Sequence, residues 1–257
     1  MTALLAIVGA VFGLLVGSFL NVVIYRVPRK ESVVHPRSRC PGCGTQLAAI
    51  DNIPVVSWLV LRGRCRTCKT AVSVRYPLVE ASTAALFAGA AVRFGADWAL
   101  PAFCVFLAAL LALALIDLEH FLLPSRVIYP TLLLSVPLLV LAAALDGHWG
   151  MLRDALVGSL AAFAVFFLLN LIYPRGMAFG DVRFSAVIGL FLGWLGPRTL
   201  FLGLFLAFLS ASVIGIGLII AGRASRKSPI PFGVFLALGA ALAVFAGRPI
   251  LDWWIGG

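Results

Sequence analysis

The sequence predicts an all-α polytopic membrane protein with about eight transmembrane helices and a small zinc-bound cytoplasmic loop domain. Of its 257 residues, 62% are hydrophobic and only 12% are charged, which is more apolar surface than a water-soluble domain of this length requires. Several apolar runs approach the roughly 20 residues that cross a bilayer as a helix. One polar loop between these runs carries two closely spaced cysteine pairs, which indicate a metal site.

Eight apolar runs divide the chain, and we interpret each as a membrane span. The sixth run is short, about 21 Å at 1.5 Å per residue against roughly 30 Å of hydrocarbon. We still expect it to cross, because otherwise every later loop would change sides. The runs cover residues 3–25, 77–92, 99–117, 127–145, 155–173, 182–195, 199–221 and 230–247.

These runs leave room for one substantial extramembrane segment. We therefore predict three parts, namely a first transmembrane helix at 1–25, a cytoplasmic tetracysteine zinc loop at 26–76 and a seven-helix membrane domain at 77–257. The first run has no basic residue before it, so we do not interpret it as a secretory signal peptide.

Basic residues give the predicted orientation. Residues 26–76 hold ten of the 20 lysines and arginines, and other loops on the same side hold six more. The positive-inside rule therefore places these loops in the cytoplasm and both termini outside. The net charge of +10 follows from this topology and from contact with anionic headgroups, so we predict membrane lipid, and no nucleic acid, as a partner.

The cysteine pairs lie in the motifs CPGC, with Cys40 and Cys43, and CRTC, with Cys65 and Cys68. Two such knuckles match a four-thiolate zinc site. The alternatives are an empty site or two disulfides, and a reducing cytoplasm disfavours the disulfides. Four ligands leave no open coordination position, so the predicted zinc is structural and stabilises a loop too small to fold unaided.

Three acidic residues lie inside an apolar run or directly at its cytoplasmic end. Glu80 is inside the second run, whereas Asp117 and Asp181 lie at the inner ends of the third and sixth. An aspartate at the bilayer centre costs about 2.5–3.5 kcal/mol on insertion scales, so each intramembrane acid is a functional hypothesis.

Asp117 and Asp181 are predicted to lie at the same depth on the cytoplasmic side. If their helices are neighbours, the carboxyls can face each other, and like charges about 3 Å apart share one proton. An aspartic protease uses this state, because one carboxylate deprotonates water while its protonated partner polarises the scissile carbonyl. Gly180 would let a substrate backbone approach. The alternative is that both aspartates only cap helices or meet arginines.

Seven segments occur in a specific order along almost the whole chain. They are GSFLNVVIYRVP at 17–28, the four cysteines, DNIPVVSWLVLRGRC at 51–65, RYPLVE at 75–80, LIDLEHFLLP at 115–124, FGDVR at 179–183 and SPIPFG at 228–233. In this order they resemble the bacterial type IV prepilin leader peptidases, a family of membrane aspartic proteases with a GxGD-type site. The resemblance implies that Asp117 and Asp181 are the catalytic pair.

The resemblance also implies the substrate and a second activity. The expected substrates are prepilins or type II secretion pseudopilins, which are cut on the cytoplasmic side of the bacterial inner membrane after a glycine that ends a basic leader. Many members then methylate the new N-terminal residue with S-adenosylmethionine, and the tetracysteine loop is associated with that bifunctional form. No motif assigns residues to the methyl donor. Glu80 either supports methyl transfer or balances an arginine such as Arg75.

Four positions depart from the family pattern. Ala178 replaces a glycine, Ser125 an aspartate, Arg183 a lysine and Val234 a proline, and none of these changes removes a catalytic group. A hypothesis from another class is a membrane transporter or pilus-assembly scaffold, with proton-relay aspartates and a zinc loop that docks a partner. Loss of leader cleavage on replacing either aspartate by asparagine separates the two hypotheses.

Overall fold

The computed structural model describes residues 1–40, 42–174, 177–223, 225 and 229–255. This part of the chain is almost entirely helical, and its extended contacts are two isolated β-bridges in the cysteine loop. The prediction of an all-α protein is confirmed. Besides one 3₁₀ turn at Ala49–Asn52, the helices are α1 (Thr2–Arg26), α2 (Val56–Val60), α3 (Arg75–Phe94), α4 (Leu100–His120), α5 (Ser125–Asp146), α6 (Trp149–Ile172), α7 (Phe179–Trp194), α8 (Pro197–Ile220) and α9 (Phe232–Ile255).

Six of these helices, α1, α4, α5, α6, α8 and α9, are long and apolar enough to cross a bilayer. The protein is therefore a multi-pass membrane protein. The number eight is not confirmed, because α3 is less apolar than the other long helices and α7 has only 16 residues.

The helices form two compact units, Met1–Ala96 and Asp97–Gly257. α3 thus groups with α1 and the cysteine loop, whereas α4 to α9 form the second unit. The three-part domain division expected from the sequence remains a prediction.

In the first unit, α1 and α3 form a close antiparallel pair. Gly13 and Gly17 face α3, where a Cβ on Gly13 would lie 2.7 Å from the Cα of Ala84 and one on Gly17 2.7 Å from the Cα of Glu80. One turn further along α1, the Asn21 side-chain amide donates to the carbonyl of Tyr76 at 3.1 Å. Small residues at such an interface allow the close approach that helix pairs in membranes require.

In the second unit, α7 is the central helix, and α4, α5, α6, α8 and α9 all contact it. Most of its residues from Asp181 to Trp194 are buried. Its length, about 24 Å at 1.5 Å per residue, is shorter than the hydrocarbon layer. A helix surrounded by protein does not have to match the lipid thickness along its sides, which accounts for the short sixth run.

Glycines also govern the contacts within the second unit. α6 and α7 meet at Gly158, Gly189 and Gly193, where a Cβ on Gly193 would lie 2.6 Å from the carbonyl oxygen of Asp154. α8 and α9 meet in the same way, because a Cβ on Gly239 would lie 2.6 Å from the backbone nitrogen of Ala207. These helices pack backbone to backbone.

We expect Gly189→Ala to destabilise the second unit. The added methyl would overlap the Gly158 carbonyl oxygen and lie 2.8 Å from the Cβ of Ala162. Overpacking of this kind costs about 1–3 kcal/mol. The measurement is thermal unfolding in lipid nanodiscs. The control is Gly217→Ala in α8, where nothing lies within 4 Å of the new methyl, and it should unfold at or slightly above the wild-type temperature. Equal midpoints for the two variants would contradict this packing.

Candidate active site and cysteine cluster

Asp117 and Asp181 come together through the packing of α4 on α7. The ring of Phe106 stacks on that of Phe191 with centroids 4.2 Å apart. Asp117 lies eleven residues after Phe106 and Asp181 ten residues before Phe191, which corresponds to about 16 and 15 Å along the two helix axes. The starts of α7 at Gly180 and of α9 at Gly233 both lie against Leu123, which follows α4. The helices are therefore antiparallel, with both aspartates at the same height.

Asp117 is buried, with 5% of its surface exposed, and it binds the first turn of α9. Its Oδ2 accepts the N–H of Gly233 at 2.8 Å, and the N–H of Val234 also bonds to this carboxyl. The first N–H groups of a helix have no intrahelical acceptor, so Asp117 satisfies two of them. The sequence analysis did not predict that Gly233 and Val234 contact Asp117. It drew attention to this region only through the SPIPFG segment, which is part of the family resemblance.

Asp181 is also buried, with 6% exposed, and it lies in the first turn of α7. Its Oδ2 accepts the N–H of Ala178 at 3.2 Å. Ala178 is extended, with φ −74° and ψ 146°, a conformation open to most residues. The backbone conformation at this position therefore does not require the glycine of the family pattern.

Leu123, in the α4–α5 connection, packs between two glycines near the aspartates. A Cβ on Gly180 would lie 2.8 Å from the Cβ of Leu123, and one on Gly233 would lie 2.8 Å from Leu123 Cδ2 and 2.9 Å from Asp117 Oδ2. The connection can thus approach both helix starts only because side chains are absent there. Leu123 occupies the space beside Gly180 in this structure, and the role of Gly180 in admitting a substrate remains a prediction.

Two positions that depart from the family pattern contact each other. The Arg183 guanidinium donates to the Ser125 hydroxyl and lies 4.6 Å from the ring centroid of Phe179 and 5.8 Å from that of Tyr129. Cation–π contacts and a neutral hydroxyl acceptor therefore hold this cation. The contact joins the start of α5 to α7, two residues beyond Asp181.

The capping alternative describes part of what these aspartates do. Asp117 accepts N–H groups at the start of α9, and Asp181 accepts one at the start of its own helix. Exposed aspartates satisfy helix ends equally well. Capping therefore does not explain why both carboxyls are buried and level with each other.

Glu80 lies in the first unit. Only 8% of it is exposed, and its Oε2 accepts the N–H of Val55 at 2.7 Å. The Ser18 hydroxyl also bonds to this carboxyl. Val55 has φ 60° and ψ −50°, which is unusual for a β-branched residue. Glu80 thus joins the loop before α2 to the α1–α3 pair, and its contribution to methyl transfer remains a prediction.

The four predicted ligands Cys40, Cys43, Cys65 and Cys68 form one cluster, in which all sulfur atoms lie within 4.8 Å of one another. A tetrahedral zinc ion with 2.3 Å bonds would place its sulfurs about 3.8 Å apart. The Sγ atoms of Cys40 and Cys68 are 3.6 Å apart. The cluster therefore fits zinc.

The two knuckles repeat one structure. In the first, the N–H of Cys40 donates to the carbonyl of Thr45, and in the second, the N–H of Cys65 donates to that of Thr70, both at 2.9 Å. The sequence behind this repeat is C-x-x-C-x-T, which extends each C-x-x-C motif by two residues. The threonine was not singled out from the sequence, although its spacing is the same in both knuckles.

Each threonine hydroxyl also contacts the second cysteine of its knuckle, at 3.3 Å from Cys43 Sγ to Thr45 and 3.2 Å from Cys68 Sγ to Thr70. Hydrogen bonding to Thr70 lowers the pKa of Cys68 to about 6, and hydrogen bonding to Thr45 lowers the pKa of Cys43. Zinc binds thiolates, so these hydroxyls favour the form of each cysteine that binds metal.

Comparison with known proteins adds two family matches. Residues 11–94 match the bacterial peptidase A24 N-terminal domain, and residues 104–221 match the type IV leader peptidase family.

Curated relatives match over most of the chain. The prepilin leader peptidase/N-methyltransferase of Stutzerimonas stutzeri is 36% identical over 267 residues, which cover 93% of this chain and 90% of the relative. The protein of the same name from Aeromonas hydrophila is 35% identical over 275 residues, which cover 95% and 91%. That of Myxococcus xanthus is 43% identical over 189 residues, covering 72% and 55%. No solved structure matches the chain.

We expect Thr70→Val to weaken zinc binding, because it removes a hydroxyl donor to the Cys68 thiolate while nearly preserving side-chain volume. Loss of such an outer partner typically lowers metal affinity about 10–100-fold. Competition with a chromogenic chelator on the purified full chain measures this affinity. Thr70→Ser retains the hydroxyl and should stay close to the wild type. If Val and Ser variants hold zinc equally well, the hydroxyl has no such role.

Proposed function

The chain belongs to the type IV leader peptidase family, and we propose that it is a membrane aspartic endopeptidase that removes the basic leader from prepilins or type II secretion pseudopilins. The names of its relatives support the substrate class. The observation that carries the proposal is that Asp117 and Asp181 are both buried and level at one end of the second unit. The proposed site faces the cytoplasm from the bacterial inner membrane, with both termini outside.

The proposed reaction is hydrolysis of one peptide bond by water. One carboxylate accepts a proton from water as the oxygen attacks the scissile carbonyl carbon, while the protonated partner donates to the carbonyl oxygen. The C–N bond then breaks and the leaving nitrogen takes up a proton. The products are the leader, with a new carboxylate, and a pilin with a new N-terminal amine.

Charge limits how the substrate is recognised. Residues 26–76 carry ten basic residues against Glu31 and Asp51, so this loop repels a basic leader. Recognition therefore rests on the apolar helix that follows the leader, which enters between the membrane helices.

We further propose that the chain methylates the new N-terminal amine with S-adenosylmethionine. The N-terminal domain match and the names of the relatives support this second activity. The amine nitrogen forms an N–C bond as the S–C bond of the donor breaks, and one proton leaves the nitrogen. The four cysteines would hold a structural zinc, because a four-thiolate site has no open position for a substrate.

Replacing either aspartate should abolish leader cleavage. We expect Asp117→Asn and Asp181→Asn each to lower the cleavage rate by at least about 100-fold, because each removes one acid–base partner. Cleavage of a purified prepilin in nanodiscs, followed by mass spectrometry, measures the rate. Asp146→Asn, at the exposed end of α5, is the matched control and should cleave normally. Near-normal cleavage by either active-site variant would rule out the pair and restore the scaffold hypothesis.

Methyl transfer should survive loss of the peptidase. We expect the Asp117→Asn variant to leave uncleaved precursor unlabelled but to transfer a labelled methyl group to a supplied, already cleaved pilin. The reason is that only the new amine is a methyl acceptor. The readout is label on the N-terminal residue. Absence of label with the wild-type chain and either substrate would leave the protein as a peptidase alone.

A further inference from the structure

We propose that residues 50–60 form an interfacial segment that inserts its apolar side chains into the lipid leaflet on the zinc-loop side of the membrane. This inference goes beyond the proposed activities and does not depend on them. Five large apolar side chains within these eleven residues are exposed. The exposed fractions are 61% for Ile50, 45% for Ile53, 53% for Val56, 61% for Leu59 and 72% for Val60.

The polar groups of this segment bind the cysteine loop. Asp51 accepts two hydrogen bonds from Arg66, at 2.8 and 2.9 Å, and lies beside the second knuckle. The indole N–H of Trp58 donates to the carbonyl of Val72 at 3.0 Å. The segment is therefore amphipathic, with polar contacts toward the zinc loop and uncovered apolar side chains. This division is typical of a helix or turn that lies in the membrane interface.

The contact with Glu80 places the segment at membrane depth. The N–H of Val55, in the middle of the segment, donates to Glu80 at 2.7 Å. Glu80 is level with Gly17 of α1, since a Cβ on that glycine would lie 2.7 Å from the Glu80 Cα. Gly17 precedes Arg26, the last residue of α1, by nine residues, or about 13 Å along the axis.

α1 has 25 residues and is therefore about 37 Å long. When it crosses a hydrocarbon layer of roughly 30 Å, only a few residues at each end lie outside that layer. The level of Gly17 is therefore below the membrane surface. The Cα–Cβ bond of Glu80 tilts toward the start of α3, so its carboxyl lies somewhat nearer the surface than its Cα. A loop bound to this carboxyl lies at the interface and not in bulk water.

The same depth is lipid-facing on both neighbouring helices. Phe19 of α1 is 52% exposed and Leu78 of α3 is 59% exposed, each two residues from the Gly17–Glu80 level. Directly after the segment, Arg62 and Arg64 are exposed, and anionic headgroups attract such cations. The exposed apolar side chains thus continue the lipid-facing surface of α1 and α3, and the occupant we assign is lipid.

Depth-dependent quenching of a fluorescent amino acid tests this assignment. The residue is incorporated at Val56, Leu59 or Val60 of the full chain, in nanodiscs that contain no protein other than this chain and the scaffold protein. We expect lipids brominated along their acyl chains to quench each label at least twofold more than aqueous iodide does. The control is a label at Gln46, an exposed residue of the first knuckle, where iodide should quench more strongly. Zinc content checks that each labelled loop is folded.

Photoactivatable lipids provide a second test on the unmodified chain. We expect lipid adducts in residues 50–60 and none in residues 42–48. Quenching by iodide at all three positions, or adducts absent from residues 50–60, would overturn the proposal. Shielding from iodide that appears only after a prepilin is added would also overturn it, because the occupant would then be a protein helix.

Discussion

The hydrogen bond from the Gly233 N–H to Asp117 is the interaction on which the site depends. It joins residues 116 positions apart at 2.8 Å and connects the end of α4 to the start of α9. A carboxylate in a membrane helix is costly to insert, and backbone donors at a helix start offset that cost. With α4 and α9 joined in this way, Leu123 packs against both Gly180 and Gly233, and Asp117 lies beside Asp181.

The second element of the site is the burial of α7. Because other helices surround it, Asp181 can start a helix too short to cross the bilayer by its own length. Arg183 contacts Ser125. The two residues that depart from the family pattern on α5 and α7 therefore connect these helices. The Arg183 guanidinium also lies over the rings of Phe179 and Tyr129.

Local sequence patterns predicted the long helices and the cysteine cluster and singled out the two aspartates, because apolar runs, C-x-x-C spacing and isolated intramembrane acids each carry their signal within a few residues. Besides the knuckle threonines, three features were not predicted, for physical reasons. The partner of Asp117 lies 116 residues away, and no local spacing encodes that pairing. The grouping of α3 with α1 depends on Gly13 and Gly17, which read as ordinary residues of an apolar run. Val55 has a positive φ, which its side chain disfavours, so the turn before α2 has no sequence signal.

A structure of the Asp181→Asn variant with an intact prepilin would test the central claim most directly, because the substrate would remain uncut. We expect the scissile carbonyl to lie between residues 117 and 181, within a hydrogen-bond distance of about 2.6–3.2 Å from each side chain. The apolar helix of the substrate should lie among the helices of the second unit. A scissile bond located away from these two side chains, or in contact with only one of them, would contradict the paired mechanism.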